Sequence, residues 1–206
     1  MSAPATPPVA ETPVRGILDV IVFSSITALA VILAAVKGVV DVFRAEGPAV
    51  PFPMQPQPVT ATLGSAGAAD TYIATGATVL APGLDTATLL WFAASIVTAA
   101  VAVLIVLAAL VRLALAFRAG RLFTPVTARS LTIIGGTMFL GACLVLITDA
   151  LGRSGTYAML GIPWEPLHMI QFVPYLPIWV ASIAISMLAG VFERGRRMQR
   201  DSEGLV

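Results

Sequence analysis

Four long apolar runs dominate the chain, and polar or charged stretches separate them. Each run is near or above the ~20 residues that a helix needs to cross the hydrocarbon core of a bilayer. The runs therefore predict four transmembrane helices, at residues 16–43, 87–111, 131–151 and 174–192. Between Thr86 and Thr148 the chain has no Asp or Glu, and its only charges there are four arginines. A membrane-spanning pair of helices joined by a basic turn accounts for that window.

The first and fourth runs each raise a question about a boundary. The first run is too long for the apolar part of a signal peptide and has no clear cleavage site after it, so we interpret it as a retained helix. Pro174 and Pro177 lie at the start of the fourth run. A helix tolerates proline in its first turn, so the fourth helix begins there, or it begins further back near Leu167 and the prolines kink it. The sequence leaves both starts open.

Basic residues are unevenly divided between the connecting segments, and this bias predicts the orientation. One side carries nine arginines: Arg15, Arg112, Arg118, Arg121, Arg129, Arg194, Arg196, Arg197 and Arg200. The other side carries, on it or near it, three basic residues: Lys37, Arg44 and Arg153. Because the segments of a membrane protein that are rich in Lys and Arg face the cytoplasm, we expect both termini to be cytoplasmic.

The segments at 44–86 and 152–173 are then extracytoplasmic. The first opens with a proline-rich stretch that favours extended backbone, and continues with VTATL and TYIATGATVL, which are typical of short strands. A small hairpin that caps the helices and a disordered loop are the two interpretations. The second segment is apolar and aromatic, and we expect it to lie in the membrane interface. The remaining segments are predicted as a disordered cytoplasmic tail at 1–15, a basic turn at 112–130 and a cytoplasmic tail at 193–206.

Composition agrees with a membrane protein and excludes several kinds of site. The chain is 58% hydrophobic and 11% charged, with a mean hydropathy of +0.93, which is far from soluble usage. Cys143 and His168 are the only residues of their types, so no intramolecular disulfide and no Cys- or His-rich metal centre can form. Glu165 lies three residues before His168, but on a proline-flanked loop the two are better explained as interfacial polar residues. We therefore predict no catalytic site, cofactor or metal.

Ionisable residues inside the apolar runs are candidates for a structural role, because a charge in hydrocarbon is costly. Lys37 and Asp41 are four residues apart near the outer end of the first helix, and Asp149 is near the outer end of the third. A pair of Lys37 with Asp41 or with Asp149 would neutralise both partners. Alternatively, Lys37 extends to the headgroups and Asp149 reaches water independently.

Small residues recur four positions apart along the helices and would allow close helix packing in lipid. The rows are Ala30, Ala34 and Gly38 in the first helix, Thr137 and Gly141 in the third, and Ser182, Ser186 and Gly190 in the fourth. Packing within the bundle and a dimer interface are the two uses that the pattern allows.

An F-x-x-G-R element recurs at the ends of the second and fourth predicted helices. Phe117, Gly120 and Arg121 correspond to Phe192, Gly195 and Arg196 at a constant offset of 75 residues. Two helical hairpins in parallel repetition account for the offset, and chance similarity in so biased a composition is the alternative. In a repeat, the Gly would end the helix and the Arg would bind terminal carbonyls or lipid phosphates.

The same residues carry a resemblance to a known family. FRAGRLFTPVTARSLTIIGG and the ending VFERGRRMQRDSEGLV resemble stretches of a bacterial four-helix membrane family, the twenty-nine seventy-five family of domains of unknown function. The resemblance implies an integral membrane protein with no established activity. It also implies a gene that often lies beside one for a small helix-turn-helix regulator. The long Pro/Ala tail and the apolar second loop depart from the family's pattern.

We therefore expect an all-α, multi-pass protein of the bacterial plasma (inner) membrane. Its four transmembrane helices would be arranged as two hairpin repeats with a small extracytoplasmic cap. Its function is predicted to be non-enzymatic: a regulatory or accessory subunit that acts through a protein partner, either a membrane complex or a small helix-turn-helix regulator. Eight of its arginines, at 112, 118, 121, 129, 194, 196, 197 and 200, would dock that partner or anionic lipid headgroups, and they do not form a nucleic-acid surface. The alternative is a small homo-oligomeric transporter or channel, which needs buried polar residues or broken helices that the runs lack.

Overall fold

The computed structural model describes residues 14–62, 69–119, 124–161 and 172–203 of the 206-residue chain. Within these ranges the elements are α1 (Val14–Val42), β1 (Ala49–Thr62), β2 (Ala69–Leu80), α2 (Thr86–Arg118), α3 (Pro125–Met159) and α4 (Leu176–Glu203). The prediction of four helices long and apolar enough to cross a membrane is confirmed. The candidate spans are Asp19–Val42, Thr86–Arg118, Pro125–Met159 and Val173–Met198. The chain is thus a multi-pass membrane protein with one small sheet among its described residues.

The α2 and α3 helices extend past the apolar runs into the segment predicted as a basic turn, 112–130. α2 continues to Arg118, and α3 already begins at Pro125. The start of α3 follows from local chemistry. The Thr127 N–H donates to Thr124 Oγ1 at 3.4 Å, and proline occupies the first helical position, where it needs no donor. Most of the predicted turn is therefore helical.

The ends of α3 and α4 also lie beyond the predicted spans. α3 continues to Met159, so the predicted loop at 152–173 begins with two turns of helix. A short 3₁₀ turn at Val173–Tyr175 precedes α4, which starts at Leu176, and a start near Leu167 falls outside the described residues. α4 then continues to Glu203, so most of the predicted cytoplasmic tail is helix.

Each helix is divided between two compact units. The terminal unit comprises the described residues of Met1–Ile32, Ala102–Phe139 and Ile178–Val206. The hairpin unit comprises the described residues of Leu33–Val101 and Leu140–Pro177, and it contains both strands. The terminal unit thus contains about the first two-thirds of α1, the second half of α2, nearly the first half of α3 and nearly all of α4.

The two strands pair antiparallel, from Ala49 opposite Leu80 to Thr62 opposite Ala69. This confirms the hairpin interpretation of the segment at 44–86 over the disordered one. The proline-rich stretch is part of β1. Proline has no N–H group and cannot donate a hydrogen bond between strands. Each strand of this two-stranded sheet has one edge that pairs with no other strand, and alternate residues direct their N–H groups to the same edge. Pro51 and Pro53, two positions apart, are therefore compatible with pairing. The register shifts between Pro53 and Gln57, where a bulge accommodates the extra residues of β1.

The base of the hairpin forms the buried apolar cluster of the hairpin unit. Val42 at the end of α1 and Val50 in β1 are 5% and 1% exposed, and Ala81, Leu84 and Phe92 complete the cluster. Elsewhere large apolar side chains are exposed along all four helices. This is expected for helices surrounded by lipid, because lipid provides no hydrophobic force to bury them.

Candidate functional site

The terminal unit contains every described arginine that the sequence predicted to dock a partner or lipid. Five of them have exposed side chains: Arg112, Arg118, Arg129, Arg194 and Arg197. Arg196 is partly buried, the Arg200 side chain is not among those described, and Arg121 lies outside the described residues. The basic helix ends of α2, α3 and α4 are therefore the candidate site.

A carboxylate on α4 engages two of these arginines. Arg196 donates from Nε to Glu193 Oε2 at 3.0 Å and from Nη2 to Glu193 Oε1 at 2.6 Å. Arg197 Nε lies 3.4 Å from the same Oε1. A two-point guanidinium–carboxylate contact fixes side-chain geometry better than a single contact does. Glu193 is therefore neutralised by its own helix, whereas Arg129 and Arg194 have no ion pair among the described residues.

α3 and α4 approach each other closely below this charged end. A Cβ at Gly135 of α3 would collide with Ser186 Oγ and come within 3.0 Å of the Ser182 carbonyl. Glycine is required there because α4 occupies the space of a side chain. Ser182 is 2% exposed, whereas Gly190, the third member of the predicted row, is exposed and has open space beside it.

Two adjacent openings follow the α3–α4 contact and share Ser186. One is about 500 Å³ and includes Arg129 and Glu193 in its lining. The other is about 480 Å³ and includes Gly136 and Phe139. We call the two together the α3–α4 groove.

The other predicted rows of small residues contribute less. Ala30 and Ala34 are exposed, and Gly38 is the member of the α1 row that meets another helix, with its Cβ position 3.3 Å from Ile96 of α2. In α3, Gly141 is buried and Thr137 is partly buried.

The three residues that the sequence proposed for a charge pair, Lys37, Asp41 and Asp149, each form an ion pair within their own helix. Lys37 Nζ lies 2.5 Å from Asp41 Oδ2, which is one of the two partners that the sequence allowed. The other alternative is wrong, because Asp149 pairs with Arg153, whose Nε lies 2.6 Å from Asp149 Oδ2. That pairing requires α3 to continue past 151, which brings Arg153 one turn from Asp149. The Arg153 Nη1 group also donates to the carbonyl of Pro51 in β1 at 2.9 Å.

The F-x-x-G-R element takes a different structure from the one predicted. Gly195 does not end its helix, since α4 continues to Glu203. The Glu193–Arg196 contact, three residues apart, supports the helical turn that contains this glycine. Phe117 is exposed on α2 and Phe192 is partly buried on α4. The first copy's remaining residues, Gly120 and Arg121, lie outside the described residues.

Sequence reasoning missed three contacts at the start of α2. A Cβ at Gly152 would lie 3.0 Å from the Phe92 ring, and a Cβ at Gly155 would collide with Thr88. Asp85 caps α2 by accepting hydrogen bonds from the Thr88 N–H at 3.3 Å and from the Thr88 hydroxyl. Both hydrogen bonds lower the pKa of the Asp85 carboxyl, and the bond from the Thr88 hydroxyl has the larger effect. An Asp three residues before a Thr at the start of an apolar run was the available signal.

Buried polar side chains among the described residues are all Ser or Thr: Ser24, Thr88, Ser95, Thr127, Ser130, Thr156 and Ser182. The hydroxyls of Ser95, Thr156 and Ser182 donate to carbonyls of the preceding turn of their own helices. Hydroxyls satisfied in this way are compatible with a dry helix interior.

The described residues include no group of three or more His, Cys, Asp and Glu side chains that could hold a metal ion. Glu165 and His168 lie outside the described residues, and Cys143 is a partly buried free thiol.

No family model matches the chain, and no curated protein or solved structure is similar to it. The family resemblance therefore depends on the two sequence stretches quoted above alone.

Proposed function

We propose that the chain is a non-enzymatic regulatory or accessory subunit of the bacterial plasma membrane that docks a protein partner on its basic helix ends. The observation that carries this proposal is the continuity of α4. One helix passes from an apolar span into a charged segment, Glu193–Glu203, which we call the α4 extension. Since the helix is unbroken, the extension is held at a fixed angle to the span and has little freedom to lose on binding.

The charge of the region suits an acidic partner. The α4 extension has four arginines and three acidic residues, a formal net charge of +1. The arginines of α2 and α3 add to this charge, because there is no acidic residue between Thr86 and Thr148. Complementary charge of this kind favours encounter with an acidic surface and sets orientation more than it adds affinity.

The same charges support a cytoplasmic position for the docking surface. The arginine bias predicts that the terminal unit faces the cytoplasm. A soluble regulator and the cytoplasmic part of a membrane complex would then both have access to it, and the family resemblance makes a small helix-turn-helix protein the first candidate.

A transporter has less support from the described residues. A solute path needs polar groups directed into a shared cavity, yet Ser95, Thr156 and Ser182 use their hydroxyls within their own helices. The helices that cross the membrane are also continuous where described.

Deletion of Gln199–Val206 tests the proposal, because it removes the last turn of α4 and leaves the spans intact. Full-length and truncated chains, purified from cells in mild detergent, are compared for co-purifying proteins by quantitative mass spectrometry. We expect a stoichiometric partner with the full chain and its loss on truncation, with unchanged membrane insertion. The matched control replaces Gly190, which has open space beside it, with Ala and should retain the partner. Equal recovery by the full and truncated chains would contradict docking on the extension.

A further inference from the structure

The α3–α4 groove, measured inward from its charged end, has the length of one leaflet of a bilayer. Along α3 the lining begins at Pro125, and ten residues separate Arg129 in one opening from Phe139 in the other. Ten residues of α-helix rise about 15 Å, which is half of the ~30 Å hydrocarbon core. An acyl chain of the leaflet on the Arg129 side therefore matches the groove from its polar end to its deep end.

The wall of the groove is apolar although it contains hydroxyl residues. Ser186 Oγ donates to the Ser182 carbonyl at 2.8 Å, and Thr132 Oγ1 donates to the Ala128 carbonyl at 3.0 Å. Because these donors are used within their own helices, a ligand in the groove meets mainly methyl, methylene and ring surface. Phe139 is exposed on this wall, so one flank of the groove is open to the surrounding lipid.

Positive charge marks the polar end. Arg129 is exposed and has no ion pair among the described residues, and Glu193 on the opposite wall is engaged by Arg196 and Arg197. These four side chains have a formal net charge of +2. Arg129 also lies in the second turn of α3, near the positive end of the helix dipole, where an anion is favoured and a lone cation is not.

We infer that the α3–α4 groove is a binding site for one anionic phospholipid, with an acyl chain along Gly136 and Phe139 and the phosphate beside Arg129. A second copy of the chain fits the groove less well. In the same membrane orientation it would bring an identical positive end against Arg129, and like charges at an interface are unfavourable. The inference does not depend on partner docking.

Lipid titration of the full-length protein in mild detergent tests the site, with binding measured by native mass spectrometry. The probes are phosphatidylglycerol and phosphatidylcholine with the same acyl chains. We expect one phosphatidylglycerol per chain, bound roughly five-fold more tightly than phosphatidylcholine, as about 1 kcal/mol per arginine implies. Arg129→Gln should abolish that preference, Arg129→Lys should retain most of it, and Arg44→Gln, the same charge change in the hairpin unit, should leave it unchanged.

A second variant tests the acyl chain independently of charge. A Cβ at Gly136 meets nothing within 4 Å, so Gly136→Leu projects into free space and should lower the affinity for both lipids without breaking the α3–α4 contact. Gly190→Leu on the opposite wall is the substitute if circular dichroism shows that Gly136→Leu does not fold. Equal affinity for the two lipids in the wild type, or unchanged binding in the glycine variants, would overturn the inference. So would a dimer that Gly136→Leu converts to a monomer with lipid binding unchanged. Partner recovery should survive Gly136→Leu, which separates this site from the docking proposal.

Discussion

Removal of the Arg153 side chain should release the hairpin from α3. The guanidinium bridges two elements, with Nε 2.6 Å from Asp149 Oδ2 and Nη1 2.9 Å from the Pro51 carbonyl. The Arg153 and Asp149 side chains are 22% and 27% exposed, so water only partly screens their contact. Arg153→Met keeps an apolar stem of similar length while it removes both interactions.

The structure sets the size of the expected effect. Hydrogen bonds to charged groups contribute about 1.5–3 kcal/mol each, and the lower part of this range applies because both groups keep some access to water. Since Arg153→Met removes two such contacts, we expect it to lower the free energy of unfolding by about 3 kcal/mol. Arg153→Lys should lose less, since an ammonium keeps the contact with Asp149 but cannot bridge to Pro51 with the same fork.

Two measurements check this expectation. Unfolding in mixed micelles reports global stability, and hydrogen exchange reports the amide of Val50, which is 1% exposed beside the bridged carbonyl. Arg153→Met should speed exchange at Val50, and its cost should be non-additive with that of Asp149→Asn. Lys37→Met should instead be additive with Asp149→Asn, because Lys37 pairs with Asp41. Unchanged unfolding and unchanged exchange in Arg153→Met would refute the bridging role.

Three further predictions concern helix packing, capping and topology. Gly135→Ala should destabilise the protein by about 1–3 kcal/mol through overpacking, whereas Gly136→Ala should be neutral or slightly stabilising. Chemical unfolding of both variants measures the difference, and equal stability of the two would contradict a tight α3–α4 contact at Gly135. The pKa of Asp85 is lower in the folded state, so its capping contribution to stability is complete above the unfolded pKa of about 4 and is lost as pH falls through the folded pKa. Asp85→Asn should therefore remove that part of the acid dependence of unfolding, and an unchanged pH profile would contradict the cap. In a cysteine-free background, a cysteine at the exposed position 45 should react with a membrane-impermeant reagent in intact cells, and a cysteine at the exposed position 198 should not. The reverse pattern would overturn the orientation with both termini in the cytoplasm.

The helices and the hairpin could be predicted because both depend on local sequence. Runs of apolar residues determine a span wherever they occur, and the β-branched residues of TYIATGATVL favour extended backbone. The ends of the helices were harder to predict from the sequence. An apolar run ends where the hydrocarbon ends, but a helix continues into water as long as its residues permit, as α4 does through Gly195 to Glu203.

The contacts between elements depend on helix rotation, which composition does not reveal. Rows of small residues recur throughout so apolar a chain, and the row at Ala30 and Ala34 is exposed, whereas Gly135 forms the tight contact. Arg153 and Pro51 are 102 positions apart, so their hydrogen bond has no local signal. Asp149 could be assigned to Lys37 from sequence only because the continuation of α3 to Arg153 was not anticipated.

In-cell photo-crosslinking from the α4 extension tests the docking proposal most directly. A photoreactive residue at Met198 lies in the charged α4 extension, at the last residue of the candidate span, and one at Val180 lies in the apolar part of that span. Both native side chains are 66% exposed, so they form a matched pair. We predict that position 198 crosslinks to one defined protein, that deletion of Gln199–Val206 removes this adduct, and that position 180 does not yield it. Two results together would contradict the accessory-subunit account. Protein adducts would be no more abundant at position 198 than at position 180, and the purified chain would move a solute across liposome membranes.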